Sequence, residues 1–288
     1  MIHDHTLEER VAERYTQLSG QLRKAADFVV SHPLEVATRS LRHISDKANV
    51  SPATFSRLSR SLGYDNFEEM KELSRRSVTE QLPSFSKRAE QLRADRTSGQ
   101  SILARQGSAC IANIRSLTEK TDPRKIDAAA KTLEHANRVL LFGALGSSGI
   151  VDYMTYLARY FAPNWMLAGR SGASLASGLA GLQQDDALLL VTKSPYAGRA
   201  VTLARLAREA GAEVVLLTDH HQCPAIEHAT HVFIVPSESP QFFSSYAATL
   251  VLIEALVATI VASSEVDATA AIRRVEDNNH ALGEYWAE

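Results

Sequence analysis

Three hydroxyl-rich segments in the C-terminal half have the residue types to hold a small anion. In Gly143-Ala-Leu-Gly-Ser-Ser-Gly149, glycines including Gly146 let the backbone approach a ligand closely. Ser147 and Ser148 fall at a helix start, where free amides and the helix dipole favour phosphate. Thr192-Lys-Ser-Pro-Tyr-Ala-Gly-Arg199 gathers Thr192, Lys193, Ser194, Tyr196 and Arg199 around a second forming helix. That chemistry suits a phosphorylated or carboxylated small molecule. Phe242-Phe-Ser-Ser-Tyr246 brings Ser244 and Ser245 to the opening of a long apolar helix. The first segment is not a P-loop, because no Gly-Lys-Ser/Thr follows. Nor is it a dinucleotide fingerprint, because the Gly-x-Gly-x-x-Gly spacing fails. A tight strand-to-helix turn with serine caps would use the same residues. A fourth loop, 219–231, holds His220, His221, Cys223, His228 and His231. Its spacing matches no standard zinc pattern, so it reads as a solvated loop and helix, with neither metal nor cofactor expected.

A different chemistry is written into residues 47–64, which contain no acidic side chain. Ser51 can cap a helix, and Pro52 fits its first position, where no amide donor is missed. Phe55, Leu58 and Leu62 are spaced i, i+3, i+7 as a buried stripe. Thr54, Arg57 and Ser61 share another face, with Ser56 and Arg60 beside it. Gly63 ends the helix where a left-handed residue is wanted. Upstream, Leu41, Ile44 and Ala48 make the matching stripe of a helix capped by Ser40, and Asn49-Val50 forms the tight turn between the two. Such a pair can dock in a major groove, presenting Lys47, Ser51, Ala53, Thr54, Ser56, Arg57 and Arg60 to phosphates and base edges. A plain helical hairpin with solvated arginines has the same spacing.

Other elements must position these groups. Leu18, Leu22, Ala25 and Val29 predict a supporting helix with Ser19 near its start and Pro33 after its end. Residues 33–38 read as a helical turn. Asp65-x-x-Glu68 reads as a capping box, with Phe67, Met70 and Leu73 inward behind it. Residues 79–100 are polar and punctuated by Pro83 and Gly99, a linker that is partly helical. Leu103, Gly107, Cys110, Ile114 and Leu117 then mark one face of a helix over 101–120, free to pack on the second domain or on a partner chain. From 139 the period changes. Short apolar runs at 139–142, 165–168, 187–191, 214–218 and 231–235 read as buried strands, with helices at 124–135, 149–161, 173–182, 198–210 and 246–261 between or after them. Such alternation predicts a doubly wound parallel sheet, and the ligand segments fall at the carboxyl ends of its strands. The expected boundaries are 1–82 for an all-α DNA-binding domain, 83–122 for linker and packing helix, and 123–288 for the sensing domain.

Composition excludes several classes. A net charge of −2 over 288 residues gives no global field for nucleic acid, so DNA affinity must come from a local patch doubled by self-association. The two cysteines, Cys110 and Cys223, suggest no disulfide framework and fit a reducing cytosol. The N-terminus is too polar for a signal peptide. The longest apolar run, 246–262, is short for a membrane span and carries Glu254 in its middle, so a buried helix is expected.

Residues 41–71 closely resemble the N-terminal domain of RpiR-type transcriptional regulators. Val50, Ser51, Ala53, Thr54, Arg57, Leu62, Gly63, Tyr64, Phe67 and Lys71 match that pattern. The later run of loop, Asp-Asp-Ala-Leu-Leu-Leu-Val, helix and Ala-Gly-Ala-Glu-Val-Val-Leu-Leu-Thr-Asp is similar to the sugar-phosphate isomerase (SIS) domain. The resemblance implies an operator-binding regulator whose SIS domain senses a sugar phosphate or related anion, as a homodimer or homotetramer. Ser147, Ser148, Thr192 and Ser194 map onto the family's binding positions; Tyr196, Arg199, Ser244 and Ser245 are added from their place at helix starts. The sequence departs from the family at Ala144, where the first loop has glycine, and at Pro195-Tyr196, which displace Ser-Gly in the second. The competing function is a sugar-phosphate isomerase. It needs a general base, for which a partly buried Glu254 with a raised pKa is the candidate.

Overall fold

The computed structural model describes residues 7–81, 84–95, 101–169, 172, 174–264 and 268–286. The chain divides into two compact units, Met1–Ala94 and Asp95–Glu288.

The first unit is all helical: α1 Leu7–Arg14, α2 Gly20–Ser31, α3 Pro33–Thr38, α4 Leu41–Ala48, α5 Pro52–Ser61, α6 Phe67–Gln81 and α7 Phe85–Ala94. Its core takes Ala25, Ala26 and Val29 from α2, Ile44 and Ala48 from α4, Phe55 and Leu58 from α5, and Met70 from α6. Phe55 lies edge-on between Phe28 and Phe67. The turn between α4 and α5 forms as the residue types demand. Asn49 adopts φ +50, and the buried Val50 donates its amide to the Ser45 carbonyl. Gly63 sits at φ +88. Ser19 precedes α2 as expected, without a side-chain cap. One sequence expectation shifts. The box that opens α6 is built one residue later, with Asn66 Oδ1 accepting from the Glu69 amide and Glu69 Oε2 accepting from the Asp65 amide.

The second unit opens with α8 Ile102–Lys120 and α9 Pro123–His135. It continues β1 Val139–Gly143, α10 Ser148–Ala158, β2 Trp165–Leu167, α11 Leu175–Ala180, β3 Ala187–Val191, α12 Gly198–Glu209, β4 Glu213–Thr218, β5 His231–Ile234, α13 Ala247–Ser263 and α14 Ala268–Leu282. The five strands are all parallel, in the order β2-β1-β3-β4-β5. Alternation along each strand splits the core into two layers. Val139, Leu141, Leu189, Val191, Val215 and Leu217 pack under α8, α9, α10 and α13. Leu140, Phe142, Leu188, Leu190, Val214 and Leu216 pack under α11 and α12. Each fully buried leucine contributes about 1.5–3 kcal/mol. The packing face predicted for α8 forms only beyond its first turns: Leu117 is buried and Ile114 packs on the core, whereas Leu103 is 83% exposed. Among the described residues no single helix is long and apolar enough to cross a membrane. Residue 173, the expected start of α11, lies outside the described residues.

Candidate functional site

α5 begins as its sequence dictates. Ser51 Oγ accepts from the Thr54 amide, and Pro52 takes the first helical position. Its far end is held by side chains from α1, a helix not anticipated from the sequence. Arg14 donates to the Ser61 carbonyl at 2.6 Å, while Arg10 donates to the Leu62 carbonyl and stacks over the Tyr64 ring. Both cations lie at a helix C-terminus, where the dipole favours them. Lys24 of α2 reaches the Asn49 carbonyl in the turn.

The residues predicted to face DNA separate into two groups. Ser51, Ala53, Arg57 and Arg60 are exposed, and Ser56 is half-buried with its hydroxyl on the Pro52 carbonyl. Thr54 departs from expectation: it is 3% exposed. At the third helical position its side chain points back toward the helix start, where its hydroxyl meets Ser51 Oγ at 2.9 Å and accepts from Arg57 Nη2. The Thr54 hydroxyl is thus turned toward Ser51 and Arg57 and away from solvent. Lys47 is tied up in an ion pair with Glu35 of α3.

In the second unit, β1 and β3 are neighbours, with Gly143 opposite Val191. β2 and β3 lie on opposite sides of β1, so the loops after β1 and β3 leave the carboxyl edge at a topological switch point, the general ligand position of open parallel sheets. Gly143 is obligatory there: a Cβ would lie 2.4 Å from the Ser147 carbonyl oxygen. Leu145 is held at φ +54, costly for a branched side chain. Ser147 is buried, and its hydroxyl is 2.9 Å from the Tyr246 hydroxyl. A Cβ on Gly146 would meet the Phe243 ring at 2.8 Å, so segment 242–246 presses directly on the loop.

The other predicted ligand residues distribute unevenly. The Ser148 hydroxyl turns back to the Leu145 carbonyl. Thr192 is buried at the end of β3. Ser194 donates its amide to both oxygens of Asp219, which follows β4. The Tyr196 hydroxyl is held neutral by burial and by the Asp219 charge. Arg199 is exposed, with its guanidinium over the Phe142 ring. Ser244 is half-buried. Ser245 is spoken for: its hydroxyl caps the Ala247 amide and lies 3.5 Å from Cys110 Sγ of α8.

Sequence reasoning counted Lys193 among the cations of this loop but did not single it out as a binding residue. Lys193 is only 6% exposed. Its ammonium donates to the Ser245 carbonyl at 3.1 Å and sits 4.9 Å from the Tyr246 ring centroid. Burial pushes its pKa down to about 8, against the pull of Asp219. Burial also holds Tyr246 in its neutral form. The sequence signal was present, since a lysine directly after a buried strand at a sheet's carboxyl edge has little solvent to reach.

Among the described residues no three His, Cys, Asp or Glu side chains are placed to share a metal. In loop 219–231, Cys223 is buried, His220 Nδ1 accepts from the Gln222 amide, and His231 bonds Thr132. Glu254, the candidate base, is exposed on α13 and accepts from the Tyr153 hydroxyl of α10. It faces outward because position 254 lies opposite the stripe of Leu252, Ile253 and Leu256 that enters the core.

The family described as "Helix-turn-helix domain, rpiR family" matches residues 5–77, and the SIS domain family matches residues 132–259. The HTH-type transcriptional regulator HexR of Pseudomonas aeruginosa is 28% identical over 213 residues, 73% of this chain and 72% of that protein. The fold is similar to that of Vibrio vulnificus NanR, solved in complex with ManNAc-6P, at TM-score 0.65 and 17% identity, over 96% of this chain and 99% of that one. The sugar isomerase domain of an RpiR transcription factor from Sphaerobacter thermophilus superposes at TM-score 0.58 and 22% identity, over 62% of this chain and 99% of its own. With an rpiR-type reading unit preceding a five-stranded SIS unit, the chain belongs to the RpiR family of helix-turn-helix transcriptional regulators.

Proposed function

We propose that this regulator binds duplex operator DNA through α5 and senses a small anionic metabolite, of the sugar-phosphate class, at the carboxyl edge of its sheet. Cytoplasmic action as a homodimer or homotetramer is part of the reading, because two reading units double a basic patch that is small in one chain. The observation that carries it is the pairing of two unlike sites: an acid-free, capped α5 with Arg57 and Arg60 exposed, and a glycine-shaped loop whose Ser147 shares Tyr246 as a neighbour with the buried Lys193. The sugar phosphate in the NanR complex supports the ligand class. The reading is of a sensor and not an isomerase: that chemistry needs a base at the carbon acid, and Glu254 is engaged by Tyr153 away from the hydroxyl loops.

A thermal-shift series with sugar phosphates, amino sugars and small carboxylates tests the ligand class. A bound ligand at about a hundred times its dissociation constant adds roughly 2.7 kcal/mol to stability. Stabilisation by phosphorylated sugars and not by their unphosphorylated forms is expected. Stabilisation by the neutral sugars alone would remove the anion from the proposal. Conversion of any stabilising sugar phosphate to its isomer would restore the enzymatic reading.

A further inference from the structure

Between β5 and α13 the chain runs as a strap over residues 236–246, and the described residues tie it at both ends. At one end it covers the candidate ligand site. Phe243 presses on Gly146, the Tyr246 hydroxyl meets Ser147, and the Ser245 carbonyl accepts from Lys193. At the other end it is clamped to α8. Buried Asn113 donates its side-chain amide to the Glu238 carbonyl at 2.7 Å and accepts from the Glu238 amide at 3.2 Å. The Ser239 hydroxyl donates to Gln106, and Ser245 lies against Cys110. The strap is closed on itself by the Ser245 amide donating to the Ser237 carbonyl. Its two ends therefore cannot move independently.

An ammonium has three protons to give. Among the described residues one acceptor, the Ser245 carbonyl, takes one of them, and the Tyr246 ring covers another side. Asp219 adds a favourable charge from nearby, but its carboxylate is bonded to the Ser194 amide and burial still outweighs its pull, so a further anion is favoured at this ammonium. An anion reaching Lys193 and Ser147 must compete with Tyr246 for both of them, and Tyr246 is the last residue of the strap.

We infer that Lys193 is the cationic contact for the effector's anionic group, and that the 236–246 strap carries the occupancy of that site to α8 through Asn113. The first half rests on the anion-sensor reading; the second rests on the bonds that join the strap to the loop and to α8, whatever the chemistry of the ligand. α8 is the first helix of the second unit, and the chain N-terminal to it leads to the reading unit. The relay thus places the ligand signal on the element covalently continuous with the DNA-binding half. Coupling of this kind requires a ligand that binds the two strap states with different affinity, which competition for Ser147 and Lys193 supplies.

Two experiments on the full-length protein separate the halves. Hydrogen exchange without ligand compares wild type, Tyr246→Phe and Asn113→Ala. Tyr246→Phe removes only the hydroxyl bonded to Ser147, and exchange is expected to rise several-fold both in the strap and in α8 around Asn113. Because coupling is reciprocal, Asn113→Ala is expected to raise exchange in α8, in the strap and in the Ser147 loop. A strap that loosens in Tyr246→Phe with no change in α8, or a strap that does not loosen, would overturn the relay. Calorimetry then measures binding of inorganic phosphate, ManNAc-6P and citrate to wild type and Lys193→Met. A loss of affinity of tenfold or more in Lys193→Met is expected for whichever anion binds. Equal affinity, or no binding of any anion to wild type, overturns the contact. Lys193-dependent binding of citrate alone keeps it and overturns the sugar-phosphate reading instead.

Discussion

The proposed reading helix and the proposed ligand site are built on opposite plans. In α5 nearly everything that shapes the site is local: Ser51 caps, Pro52 starts, Phe55 and Leu58 anchor, and Arg57 and Arg60 present, all within ten residues. At the sheet edge the partners are far apart in sequence. Ser147 meets Tyr246, Lys193 meets Ser245, and Ser194 meets Asp219. A local site tolerates loss of one contact by a small local cost. A site assembled from distant loops changes shape when one loop moves, which is what a sensor needs.

Disrupting the anchor of the local site should have the largest effect. Phe55 is fully buried between two aromatic rings, and Phe55→Ala is expected to destabilise the reading unit by roughly 3–5 kcal/mol in a denaturant titration. A cost under 1 kcal/mol would mean that α5 is not anchored as described.

The distributed site should show its character in pH. Lys193 has a folded pKa of about 8 against an ordinary 10.5. An anion binds the protonated form, so affinity should hold below about pH 8 and fall as much as tenfold per unit above it, a slope worth about 1.4 kcal/mol. Calorimetry at pH 7, 8 and 9 reads this directly, and Lys193→Met should flatten it. Stability moves the other way. Because folding lowers this pKa, burial of the charge costs stability below about 8, and that cost is relieved as pH rises toward 10.5.

A smaller effect returns to α5. Ser51→Ala removes the cap and should cost about 1 kcal/mol by urea unfolding. It also frees Thr54, so DNA affinity should fall by more than the stability change alone implies. The smallest effect belongs to Glu254→Gln. An exposed carboxylate bonded to Tyr153 should leave anion affinity within about twofold of wild type, since exposed substitutions seldom exceed 0.5 kcal/mol. A large change would return Glu254 to the site.

How much the sequence showed follows the same division. The five strands were legible because buried parallel strands are continuous apolar runs, and the Ser40 and Ser51 caps because their partners lie three residues away. Thr54 shares the Arg57 face as its spacing indicates but is buried, because helical periodicity alone ignores the backward lean of a side chain near a helix start. The box opening α6 was read one residue early because Asp65 and Asn66 are both good caps, and only the course of the chain chooses between them. Tyr246 and Asn113 were not singled out, nor was Lys193 raised above the other groups of its loop, and the contact of Ser245 with Cys110 was not foreseen. The contacts in question, Lys193 with Ser245, Tyr246 with Ser147, Asn113 with Glu238 and Ser245 with Cys110, join residues more than fifty apart. No local pattern encodes such a meeting.

The most direct test of the account is one preparation of Arg57→Ala assayed twice. Selected duplex DNA is titrated by fluorescence anisotropy, and a stabilising sugar phosphate is titrated by thermal shift. The account predicts that DNA affinity drops at least tenfold while the ligand-induced shift is unchanged. Unaltered DNA binding would contradict it, because α5 would then not be the element that reads DNA.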